Sequence, residues 1–224
     1  MAAVIIDIET VGADFETLDQ TSQEYFLKFA KTEEEKQEAR NSLSFFPVTA
    51  QVVAIGMLEA ESENGFVFFQ NGGSALFDEF KEGNVAFVSG SEREILAKFW
   101  EQMKKYQQCV TFNGRVFDCP FLMIRSAINK VKPSKNLMPN RYSGTSHIDL
   151  MDQLTFYDAV RRRFSLHMWC KAFGIESPKD EGMTGLQVKE YYQKARYKEI
   201  ARYCLGDIKA TKKLHLYWDQ YLKV

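Results

Sequence analysis

Two acidic side chains lie close together near the start of the chain. Asp7-Ile8-Glu9-Thr10 ends an apolar, β-branched run that begins at residue 3. In a β-strand, this spacing places both carboxylates on the same face. Burying two like charges side by side is costly, and proteins tolerate it mainly where a cation neutralises the pair. Because hard divalent metals prefer oxygen ligands, the pattern indicates a metal site at Asp7 and Glu9.

The same pattern occurs a second time a few residues later, as Asp14-Phe15-Glu16-Thr17. This copy follows Gly12-Ala13 and opens a polar, helical stretch, where an acid commonly serves as a helix N-cap. The context of the two copies therefore predicts chemistry for the first and capping for the second.

Two further acids stand where a carboxylate needs a reason. Asp118 begins a predicted helix just after Asn113-Gly114, although a plain turn with a helix cap explains it about equally well. Asp207 falls on the core-facing stripe of the last helix, where a lone carboxylate would be expensive. Tyr203 lies four residues earlier, so its hydroxyl shares that face. The stripe consists of Ile200, Cys204, Asp207, Thr211, Leu214, Trp218 and Tyr221.

The elements that must position these groups form an α/β pattern. A capping box, Ser91 with Glu94, opens a helix predicted over 91–106, and a further helix is predicted over 117–131. The chain from residue 165 onward is helical, and its last helix runs from about 200 to 222. Strands are predicted at 3–8, 52–58, 66–69, 85–88, 110–112 and 147–150, those from 52 to 88 as an antiparallel meander.

Length and composition fit one folded domain spanning residues 1–224, with a helical insertion at about 13–46. The 29 Lys and Arg residues against 30 Asp and Glu residues give a net charge of −1. This balance excludes a polycationic, non-specific DNA coat. Any nucleic-acid partner must therefore be bound locally.

The expected compartment is the cytoplasm. The four cysteines are far apart and contain no C-x-x-C pair, which argues against a zinc ribbon and a disulfide framework. The N-terminus has no basic region or cleavage site typical of a signal peptide. No apolar run reaches the roughly 18 residues of a membrane span, so we expect no membrane partner.

Three motifs together resemble the DEDD superfamily of 3′-5′ exonucleases, in the branch that has Tyr in its third motif. They are DIET at 7–10, N-x-x-x-F-D at 113–118 and Y-x-x-x-D at 203–207, in the family's order. The chain looks most like the predicted exonucleases similar to the proofreading domain of B-family DNA polymerases. The resemblance implies a ribonuclease H-like fold with a central mixed five-stranded sheet flanked by helices. The 224 residues leave no room for a polymerase domain, so we expect no proofreading in cis.

The resemblance also implies a mechanism and its residues. Two ions, Mg²⁺ or Mn²⁺, would be held by the four acids: Asp7 would bridge both ions, and Glu9 and Asp207 would complete the site of the nucleophile. Asp118 would hold the second ion through water, and Tyr203 would orient the attacking water. The expected reaction releases nucleoside 5′-monophosphates from the 3′ end of single-stranded DNA or RNA.

Several other residues are candidates for contacts with the substrate. Thr10 and Asn113 are candidates for binding the terminal nucleotide, and Phe117 for stacking on a base, although core packing is the favoured interpretation of the phenylalanine. The basic run 161–163 and Lys179 are candidates for phosphate contacts, but a solvated helix end is the favoured interpretation of the run. Asp149 is a candidate for lining the cleft, whereas Asp152 is expected to be a surface residue or a cap.

Three alternatives to a DNA exonuclease stay open. An exoribonuclease would use the same motifs, because nothing in the sequence clearly recognises a 2′-hydroxyl. A catalytically idle nucleic-acid-binding module is disfavoured because all four acids are present. A ribonuclease H-like endonuclease is disfavoured because it would not need Tyr203.

Overall fold

The computed structural model of the protein describes residues 2–73, 78–177 and 185–223. Within these ranges the chain forms one mixed sheet with helices on both faces. The strands are β1 (Ala3–Gly12), β2 (Ala50–Glu59), β3 (Gly65–Gln70), β4 (Glu79–Glu82), β5 (Val85–Gly90), β6 (Gln108–Thr111) and β7 (His147–Asp149). The helices are α1 (Gln20–Leu27), α2 (Glu33–Ser42), α3 (Glu92–Met103), α4 (Asp118–Ile128), α5 (Leu150–Leu154), α6 (Leu166–Ala172), α7 (Val188–Gln193) and α8 (Tyr197–Tyr221).

The sheet has the strand order β4-β5-β3-β2-β1-β6-β7. β1, β2 and β3 pair antiparallel, whereas β6 lies parallel to β1 and β7 parallel to β6. The mixed α/β class is thus confirmed, but the expected count of five strands is wrong, because the sheet has seven. The meander is also wrong at its end, where β5 pairs parallel to β3 and antiparallel to β4. β4 was not predicted because its sequence, Glu-Phe-Lys-Glu, is mostly charged, as is common on an edge strand.

β1 divides its side chains between two cores. Val4, Ile6 and Ile8 pack in the core on the α3 and α4 side of the sheet. Ile5 packs on the opposite side, in the core that α8 covers. Because strand side chains alternate, Asp7 and Glu9 share the Ile5 face and point toward α8.

The expected helical stretch after the first strand is present as α1 and α2. Neither helix buries a side chain, so both lie on the surface. The chain returns to the end of β1 through the 3-10 turn Leu43–Phe45, where the Thr10 hydroxyl donates to the Ser44 carbonyl at 2.8 Å and the Gly12 N–H donates to the Ser44 hydroxyl at 3.0 Å. In the described part of the chain, no helix is long and apolar enough to cross a membrane.

Candidate active site

An open cleft of about 460 Å³ lies at the carboxyl end of β1 and β6. It collects the five residues predicted to be catalytic, which come from β1, α4 and α8. The lining consists of Asp7, Ile8, Glu9, Phe112, Asn113, Phe117, Asp118, Met151, Arg163, Phe164, Ser165, Leu166, Gly185, Tyr203 and Asp207.

The close approach of α8 to the sheet brings its third-motif residues to those of β1. Gly56 of β2 pairs with Asp7, and a Cβ atom at Gly56 would lie 3.0 Å from both Cys204 Sγ and Ile208 Cδ1. Ligand atoms of Asp7, Glu9 and Cys204 lie within 4.8 Å of one another. The small residue on β2 therefore allows α8 to seat Asp207 over the carboxylates of β1.

A register shift between Glu9 and Thr10 interrupts the pairing of β1 with β2. Such bulges redirect side chains and are frequent beside active sites. Next to this bulge, the N–H of Ile8 donates to Asp118 Oδ1 at 3.0 Å. This bond fixes the first residue of α4 against the strand that carries Asp7 and Glu9.

The turn that leads into α4 is held by its own backbone requirements. Asn113 has a positive φ of 62°, and a Cβ atom at Gly114 would lie 2.4 Å from that of Thr111. Asp149 does not line the cleft; its carboxylate accepts the N–H groups of Asn113 and Arg115 at 2.8 and 2.9 Å. Asp149 thus positions the turn from behind.

The acids of the cleft are difficult to ionise together. Burial raises the pKa of Asp7 and Glu9 well above the ordinary range, and the negative charges of Asp118 and Asp207 raise both further. Burial also raises the pKa of Asp118 to about 7, although the N–H groups of Asp118 and Ile8 oppose this shift. A cluster with these values favours the binding of cations, which relieve the mutual repulsion.

Tyr203 stays protonated in this surrounding. Burial raises the pKa of its hydroxyl, the charges of Asp207, Glu9 and Asp7 raise it further, and a hydrogen bond to Asp207 adds to the shift. The hydroxyl is therefore a hydrogen-bond donor and cannot serve as a base near neutral pH.

The donor set fits a hard divalent metal. Asp7, Glu9, Asp118 and Asp207 supply carboxylate oxygens, which Mg²⁺ and Mn²⁺ prefer. Cys204 is adjacent, but burial and the nearby charges of Asp7 and Glu9 raise its thiol pKa. Its Sγ donates to the Asp7 carbonyl at 3.7 Å, so it remains a neutral thiol.

The predicted substrate contacts divide between cleft and interior. Asn113 and Phe117 line the cleft, whereas Thr10 is buried beside it with its hydroxyl bonded to Ser44. The roles of all three in binding stay predictions.

Two outcomes differ from expectation on the far side of the cleft. Asp152, expected at the surface or as a cap, is 3% exposed and ion-paired with Arg141. Arg163, from the run expected to be a solvated helix end, lines the cleft. The signal available for Arg163 was its place directly before Phe164-Ser165-Leu166, which line the same cleft; Lys179 lies outside the described residues.

Comparison with known proteins places most of the chain in a family. Residues 44–221 match the family of predicted 3′-5′ exonucleases related to the exonuclease domain of PolB. The matched range contains Asp118, Tyr203 and Asp207, whereas Asp7 and Glu9 precede it.

Two similar proteins are DNA polymerases from archaea. The chain is 29% identical to a DNA polymerase of Methanocaldococcus jannaschii over an alignment of 169 positions, which covers 66% of this chain but only 10% of that protein. Its fold matches the family B DNA polymerase of Pyrobaculum calidifontis with a TM-score of 0.59 and 18% identity, covering 97% of this chain and 24% of the polymerase. The expected ribonuclease H-like fold is thereby confirmed. With the family match covering most of its length, the chain belongs to the predicted 3′-5′ exonucleases related to the exonuclease domain of PolB.

Proposed function

We propose that the protein is a metal-dependent 3′-5′ exonuclease that removes nucleoside 5′-monophosphates from single-stranded DNA by a two-metal mechanism. Family membership supports exonuclease activity in general. The observation that carries the finer proposal is the meeting of four carboxylates and Tyr203 in one open cleft. We also propose the cytoplasm as its compartment.

The four acids and Tyr203 have different roles in this proposal. Asp7, Glu9, Asp118 and Asp207 would hold two ions, which when bound would supply the charge neutralisation that the attacking and leaving oxygens need. Tyr203, kept protonated by its surroundings, orients the attacking water through its hydroxyl. The Ile8 N–H holds Asp118 Oδ1 at 3.0 Å, which fixes this carboxyl group at the cleft.

Single strands fit the proposal better than intact duplex. The net charge of −1 gives the chain no general electrostatic affinity for a duplex, which carries two phosphate backbones. Phe112 and Phe117 line the cleft and offer faces on which an unpaired base can stack. RNA remains the second candidate substrate, because the same lining would accept it.

One assay separates the candidate functions. A 5′-labelled single strand, as DNA and as RNA, is incubated with Mg²⁺ or Mn²⁺ and resolved on a sequencing gel. A ladder of one-nucleotide steps on DNA supports the proposal, and faster shortening of RNA replaces it with an exoribonuclease. A single discrete cut would indicate an endonuclease, and binding without cleavage an idle module.

A further inference from the structure

A network of arginines and aspartates borders the cleft on the side away from the metal-binding acids. The buried Asp152 carboxylate accepts two hydrogen bonds from Arg141, one from Nε at 2.8 Å and one from a terminal nitrogen at 2.5 Å. Arg115 and Arg163 each approach Asp152 at 3.9 Å. Asp158 joins the network by binding both Arg141 and Arg163. Three arginines and two aspartates thus form one network of ion pairs.

The loop that carries Asp158 adopts a demanding backbone conformation. Phe156, Tyr157 and Asp158 have positive φ values of 47°, 55° and 72°. Three consecutive left-handed residues other than glycine are disfavoured and persist where their surroundings hold them. The Tyr157 N–H donates to the Asp152 carbonyl at 2.7 Å, and the Asp158 N–H donates to the Thr155 hydroxyl at 3.2 Å. The loop is therefore built to present Asp158 to the arginines.

Asp158 in turn fixes the direction of Arg163. It accepts Nε of Arg163 at 2.9 Å and a terminal nitrogen at 3.0 Å. This two-point contact uses one edge of the guanidinium and turns the other terminal nitrogen toward Asn113, whose Oδ1 it reaches at 3.2 Å. Because Oδ1 accepts from Arg163, Asn113 has only its Nδ2 donors left to offer a ligand.

Arg163 is the single cation among the described residues that line the cleft, which also contains four carboxylates. Asn113 lines the cleft beside it, with its backbone held by Asp149. Because Arg163 already occupies Asn113 Oδ1, the pair presents N–H donors to the cleft, and N–H donors suit phosphate oxygens. Building on the proposed function, we propose that Arg163 and Asn113 bind a phosphate of the substrate backbone within the last three linkages at the 3′ end.

The test measures binding and cleavage of a single strand by the whole protein. Affinity is measured in Ca²⁺ by fluorescence anisotropy, and kcat and KM in Mg²⁺, for Arg163→Gln and Arg163→Lys. Arg161→Gln and Arg162→Gln are matched controls, because both arginines belong to the same exposed run. We expect Arg163→Gln to weaken binding about 10-fold, as loss of a charge-assisted bond does. The slope of log affinity against log salt should fall by about 0.7, the value for one phosphate contact on a single strand. The controls should change affinity less than about 2-fold.

A neutral methylphosphonate placed singly at each of the last three linkages locates the contact. One position should weaken binding by the wild-type protein as much as Arg163→Gln does, and should cost that variant nothing more. Arg163→Lys should keep part of the affinity, because the charge remains while the fork is lost. Should Arg163→Gln fail to fold, the methylphosphonate series on the wild-type protein and Arg163→Lys still decides the matter.

Equal penalties at all three linkages, or wild-type affinity in Arg163→Gln, would reduce Arg163 to a structural ion-pair partner of Asp158. This failure is distinct from failure of the proposed function. A protein that binds DNA through Arg163 and never shortens it would contradict the exonuclease alone. A protein that shortens DNA equally well with Gln at 163 would contradict the phosphate contact alone.

Discussion

Asp7–Thr10 and Asp14–Thr17 have the same spacing of acids and opposite surroundings. Asp7 and Glu9 lie in the central strand β1, facing α8 among further acids, and burial raises the pKa of both. Seven residues on, the side chains of Asp14 and Glu16 are 63% and 77% exposed. The acids of the first copy are therefore buried and repel one another, whereas those of the second copy are solvated. We propose that the functional copy is the one whose buried acids repel one another, because a bound cation relieves that repulsion.

The second copy also shows that capping was wrongly assigned to its acid. Asp14 stands at the start of the 3-10 turn Phe15–Thr17, but its side chain makes no capping bond there. Its carboxylate instead pairs with Lys189 at 2.9 Å, and Asp19 caps α1 by accepting the Ser22 N–H. Lys189 is distant in the sequence, so local pattern could not reveal this partner.

The largest expected effect comes from neutralising the first copy. Asp7→Asn or Glu9→Gln should abolish nearly all metal-dependent turnover, because a missing charge weakens an ion site on which the chemistry depends. The fold should persist, since loss of one negative charge relieves repulsion within the cluster. Single-turnover cleavage of labelled DNA, with circular dichroism for folding, checks both statements. Near wild-type activity in either variant would place the active site elsewhere.

Tyr203→Phe should have the next largest effect. The ring and its packing remain, and the change deletes the hydroxyl, which is hydrogen-bonded to Asp207. Orienting and proton-transferring groups are worth about 10² to 10⁴ in rate, so kcat should fall within that range. KM should change little, because the hydroxyl acts on water and not on the substrate. Tyr191→Phe, on α7 outside the cleft lining, is the matched control; an equal effect of both changes would make Tyr203 a packing residue.

These two predictions rest on residues that local spacing in the sequence singled out. Asp207 and Tyr203 were found because a carboxylate on the apolar stripe of a helix is anomalous, and the capping box of Ser91 and Glu94 located the start of α3, where the structure has it. Arg163 was undervalued because its surroundings are set by Asp158 and Asn113, the latter 50 residues away. β4 was missed for a related reason: its pairing with β5 outweighs its charged sequence. Local spacing predicts which residues would be buried at a cost in free energy. The partners that offset this cost are distant in the sequence and are known only from the tertiary structure.

Metal binding should stabilise the protein more strongly as the pH rises through the range in which the buried acids ionise. The pKa values of Asp7, Glu9 and Asp118 are raised in the fold, so these groups favour the metal-free fold at low pH. That contribution is lost as pH rises from about 4, the ordinary carboxyl pKa, through about 7, the value for Asp118. Because bound metal requires the ionised acids, its stabilisation grows over the same window.

Thermal unfolding at pH 6 and pH 8, with and without Mg²⁺, measures this dependence. At 100 times the Kd, mass action gives about 2.7 kcal/mol, which is about 5 to 10 °C for a chain of this size. The shift in Tm should be larger at pH 8 and should shrink in Glu9→Gln. A shift that is the same at both pH values would show that the buried acids are not the ligands.

The smallest expected effect completes the comparison, from the double change Asp14→Asn and Glu16→Gln. It removes both charges of the second copy, and with them an exposed ion pair with Lys189 and a 4.0 Å contact between Glu16 and Arg40. Exposed pairs contribute about 1 kcal/mol or less, so Tm should fall by no more than a few degrees. The rate of cleavage should stay within a few-fold of the wild type. The Mg²⁺-induced shift in Tm should differ from that of the wild type by a degree or two at most. Because Glu9→Gln and this double variant alter the same pattern, the pair tests surroundings against spacing directly. Activity that survives Glu9→Gln and disappears with Asp14→Asn and Glu16→Gln would assign the chemistry to the exposed copy, and the buried carboxylates of β1 would then need another explanation.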